Sequence, residues 1–329
     1  MMGGRSAWFV IRLFRMLVPM HRVAWLAAAI KHDVLVALHE RPRTLDEVAE
    51  RLACPPSGRE ALAAWMTHGE LLGELRLTDG RYQLRGFLAR RLALPEHAVY
   101  AAYVQALVTI HVEGVFGALD HLQEPRSLSQ LDHPLIARVS ELSGPLLDEL
   151  CDGVVPTGCK VHMLEIGCGN ARILRRACQA NPQLTGVGLD LDEPVAARAR
   201  ALAADEGLGQ RMSVVAGDVR TVELEGSFDV VTMFNLLYYL PPEERGAVVA
   251  RVAEWVAPGG ALVIAGNFRG GTLPNNMLDI WFSGLRECGP LPTADELHAM
   301  LAATPLSEVT ASRAVPGDEL WSFVARRPR

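Results

Sequence analysis

Glycines and carboxylic acids stand at the ends of three short apolar runs in the second half of the chain. The run "VHMLEIGCGN" contains Glu165, Gly167 and Gly169, "TGVGLD" ends at Asp190, and "SVVAGD" ends at Asp218. Glycines let a ligand approach the backbone, and the free N–H groups of a following helix point at the same place. Strand-end carboxylates accept hydrogen bonds from hydroxyl and amino groups. The pattern predicts a nucleoside site in which Asp190 faces a ribose diol and Asp218 faces an adenine amino group.

The glycine loop also argues against two common classes of nucleotide ligand. The third glycine of the dinucleotide fingerprint is absent, because Arg172 stands at that offset. The segment "GCGN" holds no Lys or Arg for a phosphate and does not form the Walker pattern. Neither a nicotinamide dinucleotide nor a nucleoside triphosphate is therefore the favoured ligand.

The elements that must position these residues alternate from residue 161 onward. Apolar runs bounded by Gly, Asp and Pro are separated by helical segments, and alternation of this kind is typical of βαβ units. It predicts an α/β domain with a mostly parallel seven-stranded sheet covered by helices on both faces. The predicted strands are "VHMLEIG", "QLTGVGLD", "MSVVAGD", "FDVVTMFN", "ALVIAGNF", "EVTASRAV" and "LWSFVAR".

The first 95 residues indicate a mainly helical domain of winged-helix type. Thr44 and Glu47 have the spacing of a helix capping box, "EALAAWMTHGELLGEL" predicts a second helix, and Asp79-Gly80 predicts a tight hairpin. Residues 40–95 carry nine Arg against eight acids, and the second helix is too apolar to read a DNA groove. We therefore expect a packing or subunit contact and no nucleic-acid partner. Residues 96–150 read as further helix.

Composition sets broader limits. The net charge of −6 argues against bulk attraction to nucleic acid or anionic membrane, and the six cysteines show no metal-type spacing. We expect reduced thiols, no metal and a cytoplasmic protein. The apolar N-terminal stretch is interrupted by Arg12, Arg15 and Arg22, so it predicts a packing helix and no membrane span, with a helix lying in the membrane interface as the alternative.

These motifs resemble the class I S-adenosylmethionine-dependent methyltransferases over roughly residues 155–329, on "EIGCGN", "GLD", "AGDV", "FNLLYYLPPEE" and "APGGALVI". With the winged-helix region in front, the whole chain resembles the small-molecule O-methyltransferase subgroup. The resemblance implies a Rossmann-like domain over 151–329 that binds S-adenosyl-L-methionine, a dimerisation domain over 1–95, and a helical linker over 96–150 that roofs the acceptor pocket. It implies a homodimer that methylates a small molecule in natural-product biosynthesis.

The resemblance also implies roles for single residues. The glycine loop would hold the amino-acid part of the cofactor, Asp190 the ribose, and Asp218 the adenine. The implied cofactor-binding set is Glu165, Gly167, Gly169, Asp190, Asp218, Val219 and Asn235.

The chain departs from this subgroup at Tyr238-Tyr239, where many relatives have His-Asp and the His acts as the general base. An unperturbed tyrosine with a pKa near 10 needs roughly 4 kcal/mol for deprotonation at neutral pH. Tyr238 is better read as a catalytic-site group that positions the acceptor by a hydrogen bond. This favours an acceptor needing little base assistance, an acidic hydroxyl or a carboxylate first. Methylation of an enol carbon, an amine or a sulfur is the alternative, and a cofactor-binding regulator without turnover is the alternative class.

Other residues complete the predicted site. His111 lies on the roofing helices and is a candidate base. The segment after the fifth strand of the predicted sheet carries Asn276 and Trp281, which we expect to contact the acceptor, since in the subgroup this helix forms a wall of the pocket.

Overall fold

The computed structural model describes residues 4–314, 317 and 319–329. The chain forms two compact units, one of Met1–Glu113 with Asp132–Leu142 and the other of Gly114–Leu131 with Ser143–Arg329. The stretch 96–150, predicted as a separate helical linker, is thus divided between the two units.

The first unit is helical with one small antiparallel sheet. The capping box at Thr44 forms as predicted, since its side chain accepts from the Glu47 N–H while the Glu47 carboxylate accepts from the Thr44 N–H. The hairpin also forms, because Asp79 and Gly80 both take positive φ values, 50° and 71°. The unit's elements are α1 Gly4–Lys31, α2 Val34–Glu40, α3 Leu45–Arg51, α4 Arg59–Leu71, β1 Leu75–Thr78, β2 Arg81–Leu84, α5 Phe87–Leu92, α6 Ala98–Ala106 and α8 His133–Ser140. Between α6 and α8 the chain forms a π-helical turn, Leu107–Val112, and the short helix α7, Glu113–Gly117.

The second unit is the predicted α/β domain. Its seven strands lie in the order β5-β4-β3-β6-β7-β9-β8, parallel from β5 to β7 and antiparallel from β7 through β9 to β8. The strands are β3 Val161–Ile166, β4 Leu184–Asp190, β5 Met212–Ala216, β6 Phe228–Phe234, β7 Val256–Asn267, β8 Ser307–Arg313 and β9 Leu320–Arg326. All seven predicted strands are confirmed. The last residue predicted for β8, Val315, lies outside the described residues.

Helices cover both faces of this sheet. Adjacent residues of the central strand β3 belong to opposite cores: Met163 packs with α9, α10 and α11, whereas Leu164 packs with α12 and α14, and both are fully buried. Burial on both faces explains why the strands are continuously apolar. The helices are α9 Gly144–Val154, α10 Arg172–Ala180, α11 Glu193–Asp205, α12 Pro242–Glu254, α13 Leu273–Ser283 and α14 Ala294–Ala302.

The strand order reverses direction at β3. The chain passes from β3 to β4 and β5 on one side, then crosses to β6 and β7 on the other. Ligands of open α/β sheets bind outside the carboxyl ends of the strands at such a switch point. The fold therefore places the glycine loop after β3 where a ligand is expected.

The N-terminal half of α1 is apolar and exposed. Its large exposed apolar side chains include Trp8, Phe9, Ile11, Leu13, Phe14, Met16, Leu17, Val18 and Met20. By length and composition alone, the stretches Trp8–Lys31 and Pro95–Gly117 are long and apolar enough to cross a membrane. Core helices of soluble proteins and signal sequences meet the same criteria, so this finding does not identify a membrane span.

Candidate cofactor and acceptor site

The glycine loop after β3 turns through left-handed backbone. Gly167 and Gly169 have φ values of 65° and 55°, and Ala171 follows with 53°. The helix α10 then begins at Arg172. A left-handed φ costs a glycine little, which explains why glycines stand at these two positions.

Asp190 ties this loop to the end of the neighbouring strand β4. Its Oδ2 accepts a hydrogen bond from the Gly169 N–H at 2.8 Å, and its Oδ1 accepts from the Asp192 N–H at 3.1 Å. Both bonds fix the carboxylate at the carboxyl edge of the sheet. The structure thus brings together the predicted glycine loop and Asp190, the residue that is predicted to bind the ribose.

Asp218 follows β5 and is held by one arginine. Arg220 donates to both carboxylate oxygens, with its Nη2 2.6 Å from Oδ2 and its Nε 2.9 Å from Oδ1, and it also reaches Glu244 at 2.9 Å. These hydrogen bonds lower the pKa of Asp218 below its usual range. The next residue, Val219, is buried in the core beside this carboxylate. An adenine amino group at Asp218 would share its acceptor with Arg220.

Glu165 lies on β3 inside the unit and is 6 % exposed. Its Oε2 accepts from the Leu174 N–H of α10 at 2.9 Å. Burial raises the pKa of Glu165 to about 8, although the Leu174 N–H and the nearby Arg172 and Arg175 act in the opposite direction. Glu165 therefore holds a proton at neutral pH and joins β3 to α10 by a hydrogen bond.

Asn235 ends β6 in the left-handed region, with φ 52°. Its N–H continues the sheet by donating to the Ala265 carbonyl at 2.8 Å, and its Nδ2 donates to the Ser143 Oγ at 3.4 Å. Its Oδ1 is buried and has no hydrogen-bond partner in the described structure. A buried acceptor of this kind calls for a donor from outside the protein.

Tyr238 and Tyr239 follow in a short 3₁₀ turn and pack against α13. The Tyr238 ring lies 4.4 Å from the Phe282 ring and 5.2 Å from the Tyr239 ring, between centroids. Trp281 is buried, with its ring 4.9 Å from that of Phe282. Burial raises the pKa of Tyr238 well above 10, although a hydrogen bond shared with the Asn267 side chain opposes the increase, and burial raises the pKa of Tyr239 to about 12. Both phenols are therefore neutral at physiological pH.

His111 and Asn276 are the remaining predicted residues. His111 belongs to the first unit, in the π-helical turn, where its ring meets the edge of the Tyr103 ring at 5.6 Å and burial lowers its pKa. Asn276 is exposed on α13, whereas its neighbour Asn275 is buried and donates to the Phe268 carbonyl at 3.3 Å. The catalytic role of His111 and the acceptor contact of Asn276 stay predictions.

Three residues of this region were not anticipated from the sequence. Asn267 ends β7 and shares its hydrogen bond with Tyr238, Arg220 holds Asp218, and Leu191 is 70 % exposed directly after Asp190. The signal for Leu191 was an apolar residue in a turn, and for Asn267 a polar residue closing an apolar strand. Among the described residues no group of three or more His, Cys, Asp or Glu side chains is arranged to hold a metal ion.

The described residues fit S-adenosylmethionine. The glycine loop offers backbone without side chains at Gly167 and Gly169, Asp190 offers a fixed carboxylate, and Asn235 offers an unpaired buried acceptor, all at the carboxyl edge of the sheet. A zwitterionic amino-acid tail and a ribose diol need these groups. The fold and the site agree with the class I S-adenosylmethionine-binding arrangement that the resemblance implies.

Comparison with known proteins agrees with a methyltransferase domain. Residues 163–260 match the family described as methyltransferase domain. The chain is 34% identical over 122 residues to carboxy-S-adenosyl-L-methionine synthase from Chromohalobacter salexigens, covering 36% of this chain and 44% of that protein. It is 33% identical over 167 residues to nocamycin O-methyltransferase from Saccharothrix syringae, covering 50% of this chain and 56% of that protein. The chain thus spans about half the length of the curated relatives it matches.

A solved structure shares the fold along nearly the whole chain. The mitomycin 7-O-methyltransferase superposes with a TM-score of 0.80 at 17% identity, covering 98% of this chain and 99% of that one. At this identity the likeness concerns the fold alone. It confirms the predicted two-part architecture of a helical N-terminal region and a mostly parallel α/β sheet.

Proposed function

We propose that this protein transfers a methyl group from S-adenosyl-L-methionine to a small-molecule acceptor in natural-product biosynthesis, with an acidic hydroxyl or a carboxylate as the favoured acceptor. The observation that carries methyl transfer is the hydrogen bond from the Gly169 N–H to Asp190, which joins the glycine loop to a strand-end carboxylate at the switch point of the sheet. The name of the nocamycin O-methyltransferase supports the choice of oxygen and of a natural product.

Different residues of the protein would bind different parts of the cofactor. Gly167 and Gly169 admit the amino-acid part of the cofactor to the backbone, Asp190 accepts from the ribose hydroxyls, and Asp218 accepts from the adenine amino group while remaining paired with Arg220. Bound S-adenosylmethionine supplies an electrophilic methyl group on a positively charged sulfur. The buried side chains of Tyr238, Trp281 and Phe282 would exclude water from the acceptor.

The choice of acceptor rests on Tyr238. A phenol whose pKa lies well above 10 is a poor base at neutral pH, so it would hold the acceptor by a hydrogen bond and take no proton. An acceptor that is already ionised, or easily ionised, needs no proton acceptor from the protein. Catalysis would then come mainly from proximity and from desolvation.

A direct test supplies isotopically labelled cofactor with a metabolite extract and identifies labelled products by mass spectrometry. We expect a methyl ester or a methyl ether of an acidic hydroxyl. Labelled carbon–, nitrogen– or sulfur–methyl products would move the assignment to the alternative acceptor atoms. Tight cofactor binding with no product from any acceptor would favour a regulator without turnover.

The role of Tyr238 is tested separately by Tyr238→Phe at saturating cofactor. We expect the KM for the acceptor to rise and kcat to fall by about tenfold or less, because one neutral hydrogen bond contributes about 0.5–1.5 kcal/mol. A fall of several orders of magnitude with loss of a basic pH limb would identify Tyr238 as the base. If His111 acts as the base, His111→Gln would show that loss and Tyr238→Phe would not.

We also propose that the protein is a cytoplasmic homodimer that buries the N-terminal half of α1 against a second copy. A helix that exposes this many large apolar side chains is stable in water only when they are covered. The exposed Phe9 and Phe14 lie in this segment together with Arg12 and Arg15, whose charges suit a protein contact better than a lipid core. Light scattering should give twice the chain mass, and Phe9→Glu with Phe14→Glu should give the monomer. Binding of the wild-type protein to neutral lipid vesicles would instead favour a membrane contact.

A further inference from the structure

Arg245 is a buried cation on α12 that joins two separate segments of the α/β unit. It is 2 % exposed. Its Nε donates to the Leu240 carbonyl at 3.1 Å, and its Nη2 donates to the Pro290 carbonyl at 2.7 Å. Both of these acceptors are neutral, and burial lowers the pKa of Arg245. Burying a charge costs free energy even where it is hydrogen-bonded, so stability alone gives no reason for an arginine here.

The first of the two segments carries the tyrosine pair of the candidate site. Leu240 comes directly after Tyr238 and Tyr239, and its N–H donates to the Leu237 carbonyl at 3.2 Å, which closes their 3₁₀ turn. Because Arg245 holds the Leu240 carbonyl, the guanidinium fixes where this turn ends. It thereby fixes where the tyrosine rings begin to project.

The second segment is the loop that follows α13. Next to Pro290, the Leu291 N–H donates to Oδ1 of Asp279, a residue of α13, at 2.7 Å. Gly289 lets this loop approach α12, because a Cβ atom at that position would lie 3.2 Å from the Arg245 Nη2. The loop therefore links Arg245 to α13, the helix against which the tyrosine pair packs.

We infer that Arg245 is a positioning residue that holds the Tyr238 hydroxyl in place for the acceptor, because it joins the tyrosine turn to α13. This inference rests on the proposed function, in which Tyr238 forms a hydrogen bond with the acceptor. The Tyr238 ring lies 4.4 Å from the Phe282 ring of α13, between centroids, so a movement of α13 relative to the turn moves the phenol. A guanidinium suits this task, because it presents its N–H donors in one rigid fork, whereas a lysine ammonium is a single point on a flexible chain.

Two substitutions remove this fork in different ways. Arg245→Lys keeps the charge, and Arg245→Met removes it and leaves an unbranched apolar side chain. Arg211→Met is the matched control, because Arg211 also donates to backbone carbonyls, those of Cys178, Asn181 and Leu184, but it does so where β4 begins. Thermal unfolding shows which variants are folded.

The activity probe is the metabolite extract of the labelling experiment, supplied with saturating labelled cofactor. We expect Arg245→Lys and Arg245→Met to raise the half-saturating amount of extract and to lower the maximal rate by roughly three- to tenfold, the loss expected for the Tyr238 hydrogen bond. In the Tyr238→Phe background the same substitutions should change the rate by less than about twofold, because the group on which Arg245 acts is already absent. Calorimetry with S-adenosylhomocysteine, the demethylated cofactor, should give an unchanged dissociation constant for every variant.

A full loss of rate when Arg245→Lys is added to Tyr238→Phe would mean that Arg245 acts elsewhere, and this result overturns the inference. A wild-type rate in both Arg245 variants, or an equal loss of rate in Arg211→Met, overturns it as well. If Arg245→Lys does not fold, because its buried charge has lost the fork, Arg245→Met decides by the same comparisons.

A second readout needs no acceptor and separates this inference from the proposed function. In protein labelled with 3-fluorotyrosine, the fluorine NMR signals of Tyr238 and Tyr239 are assigned by their loss in Tyr238→Phe and Tyr239→Phe. We expect Arg245→Met to shift or broaden both signals and Arg211→Met to leave them unchanged, and unchanged signals in Arg245→Met contradict the inference. A wild-type protein that makes no labelled product overturns the proposed function, and the fluorine signals then still decide whether Arg245 fixes the tyrosine turn.

Discussion

The buried carboxyl group of Glu165 gives the stability of the cofactor-free protein a defined pH dependence. Its pKa rises from an ordinary 4.5 to about 8 on folding, because burial penalises the ionised form. Between these values the folded protein keeps a proton that the unfolded chain releases, so stability falls as pH rises. The fall is about 1.4 kcal/mol per pH unit, and it reaches about 5 kcal/mol once the pH exceeds 8.

The substitution Glu165→Gln removes this titration. Its amide oxygen still accepts from the Leu174 N–H, which donates to Glu165 at 2.9 Å. We expect the variant and the wild type to have nearly equal free energies of unfolding in urea at pH 5. At pH 8.5 the variant should be more stable by several kcal/mol, up to the limit of about 5 kcal/mol. The exposed Glu225 is a matched control in the same unit, and Glu225→Gln should follow the wild type.

A stability difference between Glu165→Gln and the wild type that stays constant from pH 5 to pH 8.5 would refute this reasoning. So would a variant that loses stability, relative to the wild type, as the pH rises. Either result would mean that Glu165 is ionised in the folded protein at neutral pH.

Three further predictions concern single contacts. Arg220→Ala should increase the affinity for S-adenosylhomocysteine and for 5′-methylthioadenosine, which lacks the amino-acid part, equally and by roughly two- to fivefold in calorimetry. The reason is that the substitution frees both oxygens of Asp218 from an exposed ion pair of modest strength. Arg176→Ala, which breaks another exposed ion pair, should change neither affinity. Gly186→Ala should lower the free energy of unfolding by about 1–3 kcal/mol, because the added Cβ would clash with Leu174 and lie 2.8 Å from the Met163 carbonyl oxygen. Gly153→Ala in α9 is the control and should not destabilise the protein, because the space around its Cβ is open. Gly266→Ala should weaken the binding of S-adenosylhomocysteine, because the added methyl group would lie 3.3 Å from the Oδ1 atom of Asn235, a residue of the implied cofactor-binding set. An unchanged dissociation constant in calorimetry would contradict a cofactor contact at this end of β6.

Local signals made most of the fold predictable. The capping box at Thr44, the hairpin at Asp79-Gly80 and the seven strands each depend on residues close in sequence, and all form as predicted. The glycine loop and Asp190 were also predictable as a pair, because the carboxyl ends of neighbouring parallel strands share one edge of the sheet. Their hydrogen bond follows from that geometry.

Contacts between distant segments could not be predicted from the sequence. No spacing rule relates Asn267 to Tyr238, since one ends β7 and the other follows β6, and their hydrogen bond depends on how the two strands are aligned. The hydrogen bonds from Arg220 to Asp218 could not be predicted either, although the residues are only two positions apart, because they depend on the rotamers of both side chains. The division of 96–150 between the two units was missed because periodicity indicates helices and not the unit against which each helix packs.

The protonation of the buried groups explains how a methyl donor can be held beside nucleophilic side chains. Cys168 lies in the glycine loop, and burial raises the pKa of its thiol, as it does for the phenol of Tyr238. A thiol and a phenol are far weaker nucleophiles than their anions. Neither group therefore competes with the acceptor for the methyl group. The same burial leaves Tyr238 unable to act as a base at neutral pH, and for this reason the proposed function favours an acceptor that carries its own negative charge.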